Sequence, residues 1–447
     1  MPKHVNGHLQ GHIGGVFRPR LLPSGTAAET RPTVTMLYDE RFTVDRAATI
    51  ASNTPFAASH VGNTKLFNHG ATYISGGVLV FDSLASATRM VIDAAAARSR
   101  LQGRVHYCKH DVIATSDFQS FSPIALVGES PASNFWAAME GEPGIIYKGG
   151  SPGFGDVRNL TGATQGNYQK KSAVQQSGTY EWAIVERTTG SMSLMRVNGG
   201  DWKVIWFEKA LTLAAKMHVR NTACTGVPTI DRMATANTSW YPAPLVQHSF
   251  ASATTPSDGD GQPETEGGGV TGTSVGAVTI TASALQMSSD TEGFVHFDTG
   301  QTSVSVGADL TVYDGSRVGV VFRVVDSANY MAAIVNSSNN TLRIVEVVAG
   351  VETTLVSQDS NLTPDFYDLP DASSIYLTVH VDGNNIRASY APGGLHLTYV
   401  ETTSSRFSTA TNVGCLVSKG AGVNSSKATN LVAFKHVQDV PVMEEYP

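Results

Sequence analysis

The chain predicts an all-β fold, two tandem antiparallel β-sandwiches behind an extended N-terminal arm, and three observations carry that expectation. Only 15% of the 447 residues are charged, 43 are glycine, and Ser, Thr, Ala and Val are abundant, a composition typical of turn-rich β-structure. That length exceeds one ordinary hydrophobic core, so two or more domains follow from surface-to-volume scaling. The chain also reads as one unit written twice.

The repeat can be followed from start to end. Leu37 to Thr43 (LYDERFT) is answered by Leu245 to Ala251 (LVQHSFA), which sets Phe42 against Phe250. Ile74/Leu79 reappears as Ile280/Leu285 at an offset of 206, and Asn134 to Ala138 is echoed by Ala328 to Ala332 at 194. Tyr180 matches Tyr376 at 196, Gly199-Gly200 matches Gly393-Gly394 at 194, and Cys224/Cys415 and Trp240/Leu431 both match at 191. An ungapped offset of 150 aligns Tyr180 with Tyr330 and Val197 with Val347, but it would have to jump to 206 for the N-terminal pairs. The drifting register joins the matches smoothly, as small loop deletions would.

Residues 1–35 hold Gly, Pro, Arg and His without periodicity and are expected to form an extended anchoring arm. His4, His8 and His12 recur every four residues, but Gly7 and Gly11 disfavour a helix that would gather them. The first sandwich is expected over 36–244, with a loop insertion, the second over 245–440, and a tail over 441–447. In the second unit, short β-branched runs at Arg317 to Val325, Tyr330 to Val335, Thr341 to Val348, Val351 to Val356 and Ile375 to Val381 alternate with Asp, Asn, Ser and Gly turns. Leu84 to Leu101 is the best helical candidate. The Gly-rich stretch 257–276 has the composition of a linker, yet the repeat places it inside the second unit as a loop and puts the joint near Pro242 to Leu245. A joint that short implies two sandwiches in fixed contact.

Gly319 to Val335 (GVVFRVVDSANYMAAIV), followed by an alternating strand, a turn at Gly350 and another strand, resembles the concanavalin-like or laminin-G-like, jelly-roll type sandwich family. Phe250, Ile280 to Met287 and Leu431 to Val437 fall where that family has its first and last strands. The first unit fits more loosely, through Pro123 to Val127, Asn134 to Ala138 and Tyr180 to Trp206. The chain also resembles the sandwich modules of tailed-bacteriophage virion proteins, in which such domains follow a short arm. The resemblance implies a fold that hosts lectins, hydrolases and structural modules alike, so function must be argued from sites.

Catalytic signatures are missing from the sequence. There is no Glu-x-Asp-x-x-Glu strand, no Gly-x-Ser-x-Gly elbow and no phosphate loop; Glu140 and Glu142 lie in a Gly-Pro turn, and Gly149 to Asp156 lacks the lysine of a phosphate-binding loop. The expectation is therefore not an enzyme and no cofactor. His106, Cys108 and His110 alternate, which on one strand face would offer imidazole and thiolate to Zn²⁺ or Cu. Trp202 and Trp206, alternating after a Gly-Gly turn, and Tyr367 in an Asp-Phe-Tyr-Asp loop are the candidate aromatic platforms for a glycan.

A net charge of −7 without a basic stripe removes the electrostatic basis for nucleic-acid binding. No apolar run is long enough for a transmembrane helix, and residues 1–15 lack the apolar core of a signal peptide. Three scattered cysteines exclude a disulfide framework. These features point to a structural protein of a bacteriophage virion (capsid decoration, tail or fibre-associated). Its arm would hold other virion proteins, its sandwiches would be displayed for host-surface glycan adhesion, and homo-oligomers would form through strand edges. The alternative is a secreted carbohydrate-binding or glycoside-processing protein of the concanavalin-like fold.

Overall fold

The computed structural model describes residues 34–43, 66–69, 72–81, 88–93, 103–112, 118–127, 144–149, 154–160, 168–171, 178–187, 190–209, 216–224, 229–250, 272–281, 283–288, 292–338, 341–358, 372–392, 398–420 and 424–440. These residues form four antiparallel sheets, with strands numbered in chain order. The first sheet runs Thr72–Ser75 (β3), Val78–Phe81 (β4), Thr229–Thr238 (β15), Gly103–Val112 (β6), Gly178–Arg187 (β11), Gly190–Val197 (β12), Trp202–Lys209 (β13) and Val437–Gln438 (β31), with Val34–Glu40 (β1) also paired to β15. The second runs Tyr168–Lys171 (β10), Phe154–Leu160 (β9), Gly144–Gly149 (β8), Phe118–Val127 (β7), Lys216–Cys224 (β14), Thr88–Asp93 (β5) and Leu66–His69 (β2).

The other two sheets repeat that order with later strands. The third runs Val278–Thr281 (β18), Ala284–Met287 (β19), Lys427–Lys435 (β30), Val304–Val312 (β21), Ser373–Asp382 (β26), Asn385–Pro392 (β27) and Thr398–Thr403 (β28), with Val246–His248 (β16) on β30. The fourth runs Val351–Gln358 (β25), Thr341–Val348 (β24), Asn329–Asn336 (β23), Arg317–Asp326 (β22), Asn412–Ser418 (β29), Glu292–Asp298 (β20) and Thr273–Val275 (β17). Position by position, β16 stands where β1 does, β21 where β6 does, β26 where β11 does and β29 where β14 does.

Local chemistry makes these strands. Gly76-Gly77 closes β3 onto β4 with positive φ at both positions, the primed turn that two-residue hairpins prefer. The hairpin pairs Ile74 with Leu79, and its counterpart pairs Ile280 with Leu285. Ala349-Gly350, also both at positive φ, closes β24 onto β25. Phe42 and Phe250 share a further device: each is fully buried at a left-handed φ, 53° and 50°. Each donates its backbone N–H to the side chain two residues back, Glu40 Oε1 at 2.6 Å and His248 Nδ1 at 3.0 Å. That acceptor holds a conformation that a bulky residue otherwise avoids.

The layers stack as second, first, third, fourth. Alternating residues of the third and fourth sheets (Val306, Ala308 and Leu310 against Val318, Val320, Phe322, Met331 and Ile344) fill one contiguous core. The other face of the third sheet presents Tyr376, Val432 and Phe434 to Val105, Tyr107, Ala183, Leu194, Trp202, Val204 and Ala234 of the first sheet. The first sheet's remaining face lies toward β7 of the second. Polar contacts reinforce the inner contact. Arg387 Nη2 donates to the Ile205 carbonyl at 2.7 Å, Val204 N donates to the His436 carbonyl at 2.9 Å, and β31 pairs with β13 through Trp202↔Gln438 and Lys203↔Val437. A strand that follows β30 thus completes the edge of the first sheet.

Three sequence expectations are corrected. Within Leu84 to Leu101, Thr88–Asp93 is strand β5, paired on both sides with β2 and β14; helix propensity is a weak prior, and a ladder with two neighbours overrides it. Trp240 is not the counterpart of Leu431: Glu40 pairs with Met233 and His248 with Leu431, so the counterpart is Met233, an offset of 431 − 233 = 198. The stretch 257–276 is not all loop, because Thr273–Val275 is strand β17, paired with β20. The arm over 1–33, the echo at Asn134 to Ala138 and Gly393-Gly394 lie outside the described residues. No helix among the described residues is long and apolar enough to cross a membrane.

Candidate functional site

His106, Cys108 and His110 do share one face of β6, but they are fully buried and do not converge. They point away from the interface between the halves, beside Ile184, Trp182 and Tyr180 on β11. His106 Nδ1 contacts Thr235 Oγ1 at 3.2 Å, His110 stacks on Tyr180 at 5.7 Å, and burial pushes the Cys108 thiol well up. Burial also pulls His110 down to about 3, a neutral imidazole. Ligands spaced at ~7 Å steps along a strand cannot all reach one ion at ~2 Å. No group of three ligating side chains is placed to hold a metal among the described residues. The metal expectation is therefore corrected to a packed strand face.

Trp202 is likewise no platform, being only 5% exposed within the contact between the two halves. Its ring takes the Arg196 guanidinium at 4.9 Å and the edge of Tyr107 at 6.5 Å. Arg196 donates to both oxygens of Glu181 at 2.8 and 2.7 Å, and Tyr107 Oη donates to Glu181 Oε2 at 2.5 Å. Burial, and then that bond, raise the Tyr107 phenol far above its ordinary value. Trp206 lies on β13 opposite Ser193, but the ladder skips Ile205, so the alternation that linked Trp202 to Trp206 is broken by a bulge. The side chain of Trp206, and Tyr367 entirely, lie outside the described residues.

An open cleft of about 610 Å³ lies instead between the edges of the third and fourth sheets, lined by Glu346, Asn384, Thr403, Ser404, Ser405 and Arg406. Glu346 extends from β24, Asn384 sits in the β26–β27 turn, and Thr403 ends β28 before the loop that carries the rest. Arg406 Nε donates to Glu346 Oε2 at 3.0 Å, and Ser404 N donates to the Asn384 carbonyl at 2.9 Å, tying the loop to the turn.

Beneath this loop lies Arg323, 3% exposed and at φ 50° in the bulge of β22. Its Nη1 donates to the carbonyls of Ser404 at 2.7 Å and Arg406 at 3.2 Å, and Nη2 donates to that of Gly383. One buried guanidinium therefore holds both cleft-lining segments from inside. Burial lowers its pKa from the ordinary value, yet arginine stays charged in proteins. Sequence reasoning missed this site because its residues lie far apart in the chain. The available signal was a lone Arg in the apolar run Gly319 to Val325.

Elsewhere, Arg317 ion-pairs with Glu292 at 3.2 Å and Glu352 at 2.5 Å. Burial raises the Glu292 carboxyl, and the Arg317 guanidinium between the two carboxylates opposes that rise.

No family model and no curated protein sequence matches the chain. Among solved structures, the carbohydrate-binding module CBM66 from Bacillus subtilis is similar at 16% identity, TM-score 0.28, over 36% of this chain and 94% of that one. The exoplasmic/lumenal domain of VIP36 in its Ca²⁺/Man3GlcNAc-bound form is similar at 12% identity, TM-score 0.29, over 39% and 88%. The CBM2 module of the evolved Dit of Lactobacillus casei BL23 phage J-1 is similar at 9% identity, TM-score 0.33, over 47% and 99%.

Proposed function

We propose that this chain is a non-enzymatic binding protein that takes a saccharide in the cleft between β24, the β26–β27 turn and the loop after β28. One observation carries the reading: hydroxyl, amide, carboxylate and guanidinium groups converge on a cleft whose two walls are fixed from behind by Arg323. Sugar hydroxyls both donate and accept, so a mixed polar lining suits them, and fixed groups lose little freedom on binding. In the same reading the halves are tandem repeats with their joint near Pro242 to Leu245, residues 1–35 anchor the chain to other virion proteins of a bacteriophage, and the sandwiches are displayed for adhesion. The virion part rests on the sequence resemblance and the Gly/Pro-containing arm.

A glycan array probed with the full chain tests the binding, with Ser405→Trp as the variant that fills the cleft. Signal from the native chain that disappears in the variant is expected. Equal signal from both would remove the cleft as the site, and silence from both would remove the glycan.

A further inference from the structure

From the charges around this cleft we infer that its ligand is an acidic saccharide, one carrying a carboxylate, sulfate or phosphate group, bound through Arg406 and backbone N–H groups over Arg323. The inference deepens the saccharide reading above and rests on it.

The first support is the orientation of the peptide groups. Arg323 draws the carbonyls of Gly383, Ser404 and Arg406 inward. In a trans peptide the C=O and N–H point in opposite directions. The N–H groups of Asn384 and Ser405, both cleft-lining residues, belong to two of those peptides and so point away from Arg323. Outward-turned amides on successive segments make a concavity for anions.

The second support is the charge count. Arg323 has no carboxylate partner among the described residues, and its Nε has no acceptor there. Arg406 is 48% exposed on its side chain, and its guanidinium bonds through Nε to Glu346, whose side chain is 15% exposed. The terminal nitrogens of Arg406 have no partner among the described residues. Arg323 beneath the loop and Arg406 at its rim thus stand with one carboxylate lining the cleft, Glu346, while the neighbouring Asp382 is bridged to Lys203, in a chain whose overall charge is −7. The attraction is thus local to the cleft and falls off within the ~10 Å screening length at 0.1 M salt. The planar fork of Arg406 fits the paired oxygens of a carboxylate, sulfate or phosphate.

The test uses the full chain on an array carrying hexuronate, sialylated, sulfated and phosphorylated saccharides beside neutral ones. The best acidic binder and its neutral analogue, such as a methyl ester, are then titrated calorimetrically. The acid is expected to bind about tenfold or more tightly than its neutral analogue, as a charge-assisted bond implies. Arg406→Gln should erase most of that ratio while the melting temperature holds, because Arg406 is half exposed. Glu346→Gln, which removes the like charge, should raise affinity for the acid several-fold. A loss there would mean that Glu346 contacts sugar hydroxyls and that charge does not govern the site. Neutral saccharides binding as well as acidic ones, or an acid preference unchanged in Arg406→Gln, would overturn the inference and leave the saccharide reading standing. Silence across the array would overturn both. Which acidic class binds decides between carboxylate, sulfate and phosphate.

Discussion

The two halves order their strands alike and use their faces differently. In the first half, both faces of β6 are buried: His106, Cys108 and His110 lie on one, and Val105 and Tyr107 lie on the other against the second half. In the second half, the outer face of the fourth sheet carries a separate apolar cluster of Phe294, Val321, Tyr330, Ile334 and Leu416, beside the Glu292–Arg317–Glu352 bridge. The turns at Phe42 and Phe250 show how one backbone survives such divergence. What persists is an acceptor two residues back, carboxylate in one case and imidazole in the other. Strand order is thus held by backbone geometry, while face composition follows whatever lies opposite.

Four experiments would break or sharpen that comparison. If the two Phe turns are equivalent, Phe42→Ala and Phe250→Ala should each destabilise by about 3–5 kcal/mol in urea unfolding, the loss for a buried Phe. A cost confined to one would show that the turns differ in more than their acceptor. Next, Glu181→Ala strands Arg196 in the contact between the halves, and a loss of about 3 kcal/mol is expected; an unchanged midpoint would mean that water solvates Arg196 there.

Third, acid sensitivity should concentrate in the first half. His110 is held at about 3 in the folded chain, against an ordinary 6.5. The unfolded chain therefore binds the extra proton between those values. The contribution is fully present above pH 6.5 and is lost as pH falls toward 3, at ~1.4 kcal/mol per unit. By pH 4.5 that is about 2–3 kcal/mol. His110→Phe, which keeps a ring beside Tyr180, should flatten this part of the stability–pH profile. His296 in the second half is depressed by burial too, but it is raised in part by its bond to Asn412, so His296→Phe should change the profile less. The smallest effect is expected from Lys203→Met. The Lys203–Asp382 bridge crosses the halves at 2.7 Å, but its side chains are 41% and 32% exposed, so under about 1 kcal/mol should be lost in the same assay. A larger loss would shift the hold between the halves from apolar packing to charge.

Features encoded by neighbouring residues were legible in the sequence. Ile74/Leu79 and Ile280/Leu285 are cross-strand pairs of matching hairpins, and Gly76-Gly77 and Ala349-Gly350 mark the turns of β3–β4 and β24–β25. Features set by distant chain were not. The register at Leu431 depends on β16 and a partner strand nearly two hundred residues away, which no ungapped offset contains. Leu84 to Leu101 has helical composition, but β2 and β14 flank its central residues. Trp202 looked exposed because the surface that covers it belongs to the other half. The cleft was hidden most thoroughly, since Glu346 and Arg406 meet only once the edges of two sheets come together.

The pairing of β31 with β13 bears on how the molecule is made. A ribosome delivers the first half early, yet the edge at Trp202 and Lys203 must wait for Val437 and Gln438. Throughout synthesis of the intervening sandwich, that edge and the apolar face beside it remain available to other chains. Assembly is therefore circular: the last strand described finishes a sheet begun near the start.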